Sequence, residues 1–117
     1  MLSQGQCIVG CVPFKDGTAS LYRRPYLVVY VDAGRQELHI LNISSVAGKE
    51  HKLKFPTNIQ LKHSMPPLTQ ASFVKIDSCQ KISFQAAEKF KLMANGTLMH
   101  RDDLVAVMAA YNEYANN

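Results

Sequence analysis

Apolar residues recur along most of the chain in short runs divided by turn residues. "QCIVGCVPF" (Gln6–Phe14) stops at "KDG", "RPYLVVYVD" (Arg24–Asp32) at "AGR", and "QELHILNIS" (Gln36–Ser44) at "SVAGK". Runs of this length, rich in β-branched and aliphatic residues and bounded by Gly and Asp, predict strands. Leu27, Val28, Val29 and Val31, flanked by Tyr26 and Tyr30, have the composition of a buried strand. Pro25 fixes φ and lacks an N–H, so it belongs at the start of that strand. "EHKLKF" (Glu50–Phe55) alternates charged and apolar residues over part of its length and predicts a half-exposed strand. "NIQL" (Asn58–Leu61) reads as a short edge strand, and "LKHSMPPLTQ" as a loop stiffened by Pro66-Pro67. "ASFVKID" and "CQKISF" predict a final strand pair, with Asp77-Ser78 as the turn or bulge between them.

After Phe84 the period changes. "AAEKFKLMA" (Ala86–Ala94) predicts a short helix broken by Asn95-Gly96. In "RDDLVAVMAAYNEY", Leu104, Val107, Met108 and Tyr111 fall at helical spacing and form one apolar face. Asp102 and Asp103 lie in its first turn, where carboxylates meet the positive end of the helix dipole. Strand spacing followed by one amphipathic helix predicts a mainly β (α+β) fold, a small β-barrel with a C-terminal helix packed on it.

A chain of 117 residues, 47% hydrophobic and 19% charged, is expected to form one globular domain. No apolar stretch reaches the roughly 20 residues needed to span a bilayer. "MLSQGQCIVGC" has no basic region ahead of a hydrophobic core, so a cytoplasmic location is expected. Cys7, Cys11 and Cys79 form no C-x-x-C pair, and the expectation is of buried free thiols. His39, His51, His63 and His100 share no metal-ligand spacing, so no metal or other cofactor is expected. The net charge is +4. The excess of Lys and Arg lies before residue 95, while the last segment sets Arg101 against Asp102, Asp103 and Glu113. That distribution permits a polyanionic partner.

The ordered pieces "GQCIVGCVPF", "KDG", "RRPYLVV", "ISS", "SFVKID" and "NGTL…DDL" change the picture. In order and spacing they resemble the PemK/MazF family of bacterial toxin endoribonucleases, from Gly5 to about Tyr114. The most specific piece is an Arg-Pro entering an apolar strand, after a first strand that ends in Pro-Phe. The resemblance implies a single toxin domain over residues 1–117, an SH3-like barrel and a homodimer. It also implies a cognate antitoxin whose tail lies over an RNA site, and cleavage of single-stranded RNA without a metal.

Candidate chemistry follows residue by residue. Arg24 matches the family's arginine before the proline, which contacts the scissile phosphate. A guanidinium offers a planar fork of donors to phosphate oxygens and does not deprotonate. Arg23 reads as a solvated loop charge. Ser44 stands where the family has a threonine whose hydroxyl serves the active site, although serines also close strands simply by bonding turn backbone. Lys75 and Asp77 lie two apart on a predicted strand, with side chains on one face about 7 Å apart. As a plain surface ion pair they would contribute about 0–1 kcal/mol. The PemK branch carries an arginine and an aspartate there as acid and base, so Lys75 departs from the pattern and Asp77 keeps it. The family's loop histidine or glutamate has no counterpart in "KDGTASLY".

Lys49, His51, Lys52 and Lys54 form a basic ribbon ending at Phe55, suited to a phosphate backbone and a stacked base. The same lysines would equally protect a strand edge from aggregation. Ser45 and Phe73 complete the candidate RNA contacts. RNA carries its own nucleophile in the 2′-OH, so the protein needs only a base, an acid and charge stabilisation. Asp77 is the candidate base, Arg24 the phosphate clamp, Lys75 the acid or electrostatic aid, and Ser44 a positioning hydroxyl. The competing reading is a non-catalytic barrel that binds RNA or protein, or a DNA gyrase-directed toxin of the same fold. Lys75 and the missing loop histidine favour it, whereas Arg24, Ser44 and Asp77 favour the enzyme.

Overall fold

The computed structural model describes residues 2–12 and 22–116. Pro13, Phe14 and the "KDG" turn therefore lie outside the described residues. Seven strands form one antiparallel sheet: β1 (Cys7–Gly10), β2 (Arg24–Asp32), β3 (Glu37–Ser45), β4 (Asn58–Leu61), β5 (Ser72–Lys75), β6 (Gln80–Ser83) and β7 (Lys91–Leu92). Their order is β4-β5-β3-β2-β1-β7, with β6 paired to β3 off that path. Helix α1 (Phe84–Ala87) follows β6, and α2 (Arg101–Ala115) ends the described chain. The fold is mainly β with a C-terminal helix, as the sequence predicts. The hydrogen-bonded ladder does not close into a barrel among the described strands, because β4 and β7 end the sheet without pairing.

β2 reads as a continuous apolar run because both of its faces are covered. Leu27 and Val29 join Cys7, Leu41, Ile43, Val74 and Val107 in a core under α2. Tyr26 and Val28 join Ile8, Leu38, Ile40 and Ile82 in a second core on the opposite face. A register shift between Val28 and Tyr30 marks a bulge in β2. Beyond it Tyr30 reaches solvent and meets His39 edge-on, with ring centroids 5.0 Å apart.

β3 is the strand on which the sheet divides. One flank pairs with β2, while the other pairs first with β6 and then with β5. β5 and β6 are thus not paired with each other, contrary to the expected hairpin. They follow one another along the same edge of β3, separated by a 3₁₀ turn over Ile76–Ser78.

Other sequence expectations are corrected. "EHKLKF" holds a 3₁₀ helix over Glu50–Lys54 instead of a strand. "AAEKFKLMA" is mostly not helical: α1 ends at Ala87, and Lys91–Leu92 pairs with β1 as β7. Gly10 explains part of this. A Cβ there would stand 2.6 Å from the Phe90 ring, so the bare backbone lets Phe90 fold down over β1 and brings the following residues alongside it. Of the three thiols, Cys7 is buried and Cys79 is exposed, Sγ lying 3.3 Å from the Tyr111 hydroxyl. Burial pushes the Cys7 thiol up to about 12, which makes it an inert packing group.

α2 is attached through its first turn. Asp103 is 4% exposed, and its carboxylate accepts from the backbone N–H of Lys62 (2.9 Å) and of His63 (2.8 Å), and from the Ser64 hydroxyl (2.6 Å). The Ser64 Oγ in turn accepts from the His100 N–H, and His100 Nδ1 caps the helix by accepting from Asp102 N–H. One carboxylate thereby joins the helix to the loop after β4.

Asp103→Ala is expected to destabilise the chain by about 3 kcal/mol in urea unfolding, since three donors lose their acceptor. Burial acts to raise the Asp103 pKa, but the bonds from Ser64, Lys62 and His63 outweigh it and hold the carboxyl below its ordinary value of 3.8. Its contribution is present above that value and lost as pH falls through the folded one, so wild-type and variant unfolding curves should converge in acid. Gly10→Ala is expected to cost about 1–3 kcal/mol by the same measurement, because the Phe90 ring must move aside.

Candidate active site at the end of the third strand

Sheet register assembles the candidate residues. The β2–β3 ladder ends at Tyr26 opposite Asn42; Arg24 lies two residues before Tyr26 and Ser44 two after Asn42, so strand alternation carries both on the face of that pair. On the other flank of β3, Ser44 pairs with Phe73 of β5. Side chains of opposed residues, and of residues two apart, share a face. Arg24, Ser44 and Lys75 therefore emerge together, on the side away from Ile43 and Val74 and hence away from α2.

Asp77 arrives by a different route. It does not share a strand with Lys75, as the sequence suggested, but lies exposed in the 3₁₀ turn. The Ser78 hydroxyl fixes that turn, donating to the Lys75 carbonyl at 2.6 Å and accepting from the Asn42 N–H at 2.8 Å. Asn42 sits where the β3–β5 ladder has stopped and the β3–β6 ladder has not begun. The serine thus satisfies a backbone donor that neither strand reaches. Ser78 and Asn42 are site-forming residues that sequence reasoning missed. The available signal was an Asp-Ser pair after a strand, a common side-chain-to-backbone turn.

The basic segment folds against the same site. Lys49, at the non-helical position just before the 3₁₀ helix, and Lys52 within it both come near enough to Lys75 to repel it. Lys49 Nζ donates to Ser44 Oγ at 3.1 Å. Asn58 Nδ2 donates to the Lys52 carbonyl and ties the helix to β4. His51, Lys54 and Phe55 are exposed, with Phe55 at 53%, and Ser45 is half-buried. Phe73 is fully buried, and that burial removes it from the candidate RNA contacts. Arg23 is exposed ahead of β2.

Electrostatics record the crowding. Partial burial lowers the Lys75 pKa, and Lys52, Lys49 and Arg24 lower it further by repulsion; Asp77 opposes them. Among the described residues the ion pair within 4.0 Å is Arg35 to Asp32, so Lys75 and Asp77 attract at longer range. Lys75 thus lies among Lys52, Lys49 and Arg24 with the Asp77 carboxylate as the opposing charge, and Lys49 reaches on to the Ser44 hydroxyl. A cluster of cationic donors of this kind has the chemistry to meet an anion. The described residues contain no group of three or more side chains placed to hold a metal ion. An apolar recess of about 360 Å³, lined by Leu2, Leu38, Phe84, Ala87 and Glu88, contains none of the candidate residues.

No protein-family model matches this chain. No curated protein matches it in sequence. In three dimensions it is similar to a chain of the crystal structure of MazE-MazF (form II) from Deinococcus radiodurans, with a TM-score of 0.68 and 14% sequence identity. The superposition covers 99% of this chain and 97% of that one. The likeness is one of fold over essentially the whole length.

Lys75→Met should relieve the repulsion from Lys49, Lys52 and Arg24. The variant is expected to match or slightly exceed wild-type stability, by up to about 0.5 kcal/mol. The pH test has a definite sign. Lys75 has its folded pKa below the unfolded 10.5, so its charge destabilises at neutral pH and that penalty fades as pH rises toward 10.5. Thermal melts of both proteins across that range should show the gap closing.

Proposed function

We propose that this chain is a toxin of the PemK/MazF kind, a metal-independent endoribonuclease that cuts single-stranded RNA at a preferred sequence. The observation that carries this reading is the convergence of Arg24, Ser44, Lys75 and Asp77, drawn from four separate elements, on a fold shared with a MazE-MazF chain. In that crystal structure MazF is paired with MazE. By analogy this chain is restrained by a cognate antitoxin and works as a homodimer in the cytoplasm. Residues 1–117 form one toxin domain in this proposal.

The chemistry needs no resident cofactor. Asp77 accepts the 2′-OH proton as the 2′ oxygen attacks phosphorus. Arg24 and the neighbouring lysines hold the non-bridging oxygens of the pentacoordinate phosphorane. The P–O5′ bond breaks, and the leaving oxygen takes a proton from Lys75, whose crowding among cations and partial burial favours its release. The products are a 2′,3′-cyclic phosphate and a 5′-OH end. Ser44 places its hydroxyl at the reacting phosphodiester. Lys49, Lys52, Lys54 and His51 follow the backbone, and exposed Phe55 offers a stacking surface. A shallow, charged site suits an extended strand, which requires no enclosed pocket.

The decisive experiment is cleavage of a long single-stranded RNA in EDTA by wild type, Arg24→Ala and Asp77→Ala. Wild type should cut and leave 5′-OH ends. Asp77→Ala should lose about 10²–10⁴-fold in rate, the share of general base catalysis, and Arg24→Ala about 10²–10³-fold. No cutting at all, by folded antitoxin-free wild type on several RNA sequences, would overturn the nuclease reading in favour of the non-catalytic or gyrase-directed barrel.

A further inference from the structure

The contact between Lys49 and Ser44 defines what the serine hydroxyl does. An ammonium has three donors and no acceptor, so in the 3.1 Å contact Nζ donates and Ser44 Oγ accepts. A serine hydroxyl has two lone pairs and one proton. With one lone pair held by a cation, the proton points elsewhere and becomes more acidic as a donor. Ser44 is only 9% exposed, paired with Phe73 of β5, and it shares its face with Arg24 by strand alternation from the Tyr26–Asn42 pair. Its outlet is the face shared with Arg24 and Lys75.

Lys49 is itself held. Its N–H donates to the Val46 carbonyl at 2.8 Å, and its carbonyl accepts from the Lys52 N–H at 2.9 Å. A serine lacks the second branch that would fix its χ1, so its hydroxyl needs an external restraint. Lys49 supplies one from only five residues along the chain.

We propose that Lys49 is a positioning residue which fixes Ser44 as a hydrogen-bond donor to a non-bridging phosphate oxygen, and not as an acceptor for the 2′-OH proton. This rests on the nuclease reading of the same site and assigns its proton traffic: the 2′ proton goes to Asp77 alone. It also accounts for a site with a lysine at position 75. The donors that one arginine fork would supply come from Lys75, the Ser44 hydroxyl and the lysines of the 3₁₀ helix.

The test is single-turnover cleavage in EDTA of an RNA carrying the wild-type cut site. The variants are Ser44→Ala, Lys49→Met, Lys49→Arg and the double variant Ser44→Ala/Lys49→Met, with thermal melts confirming that each is folded. Lys49→Met should lower the saturating rate about 10–100-fold while shifting half-saturation by no more than about 3-fold. Ser44→Ala should do the same, and the double variant should fall within about 3-fold of the slower single one, since both act through one hydroxyl. Lys49→Arg, which also donates, should recover most of the rate. An effect of Lys49→Met confined to half-saturation, multiplying with that of Ser44→Ala, would overturn the proposal and leave Lys49 as a backbone contact.

If wild type cuts no RNA, the nuclease reading fails and the donor role is read separately, with inorganic phosphate as the probe. Thermal-shift titration should then show phosphate stabilising wild type, with Ser44→Ala and Lys49→Met each weakening that effect and the double variant no weaker than the worse single one. Additive losses, or none, would overturn the donor role as well.

Discussion

One flank of β3 has to serve two strands, and the junction between them governs the rest. β6 takes residues 37–40 of β3 and β5 takes residues 43–45, which leaves the Asn42 N–H without a strand partner. Leaving such a donor buried and unpaired costs about 1–3 kcal/mol. Ser78 Oγ satisfies it, and in doing so pins the 3₁₀ turn that carries Asp77. The same interruption ends β5 at Lys75 and ends its ladder beside Ser44. Sheet geometry and site geometry therefore have a common origin: the carboxylate is exposed because the chain must leave one ladder before it enters the next.

The cation cluster draws on that frame and burdens it. Lys75 lies near Lys49, Lys52 and Arg24, which repel its charge, with Asp77 in opposition. A cluster of this kind is held together by the elements beneath it, and a bound anion would relieve it. Natural proteins accept such local instability where a ligand is bound. Stability is recovered elsewhere, in two cores on opposite faces of the sheet and in the Asp103 carboxylate that fastens α2. The separation is physical as well as energetic, since α2 covers one face of the sheet and the charged cluster opens on the other.

The parts of the fold legible in the sequence were those set by periodicity over long stretches. The apolar runs of β1, β2 and β3, the edge position of β4 and the helical stripe of α2 follow from local pattern, because a buried face imposes its period on the residues that form it. Short segments were less legible. "EHKLKF" has too few residues to separate a period of two from one of three, and Gly10 drew Phe90 into a core that local propensity at Ala86–Ala94 could not anticipate. Phe73 pairs with Ser44 on the neighbouring strand, beside the candidate site, yet it is sealed from solvent, which no local stretch of sequence announces.

By itself, the sequence determined which residue types could do chemistry, and that Arg24 enters a rigid strand behind Pro25. It also determined that one amphipathic helix closes the described chain. Tertiary structure alone decided which of those residues meet. Strand alternation from the Tyr26–Asn42 pair put Arg24 and Ser44 on one face, the turn after β3 brought Lys49 onto the Ser44 hydroxyl, and the break between β5 and β6 moved Asp77 off its strand. The physical reason is that hydrophobic patterning fixes the face a residue occupies, whereas long-range backbone hydrogen bonding fixes its neighbours across the sheet, and that pairing is not written in any local stretch of the chain.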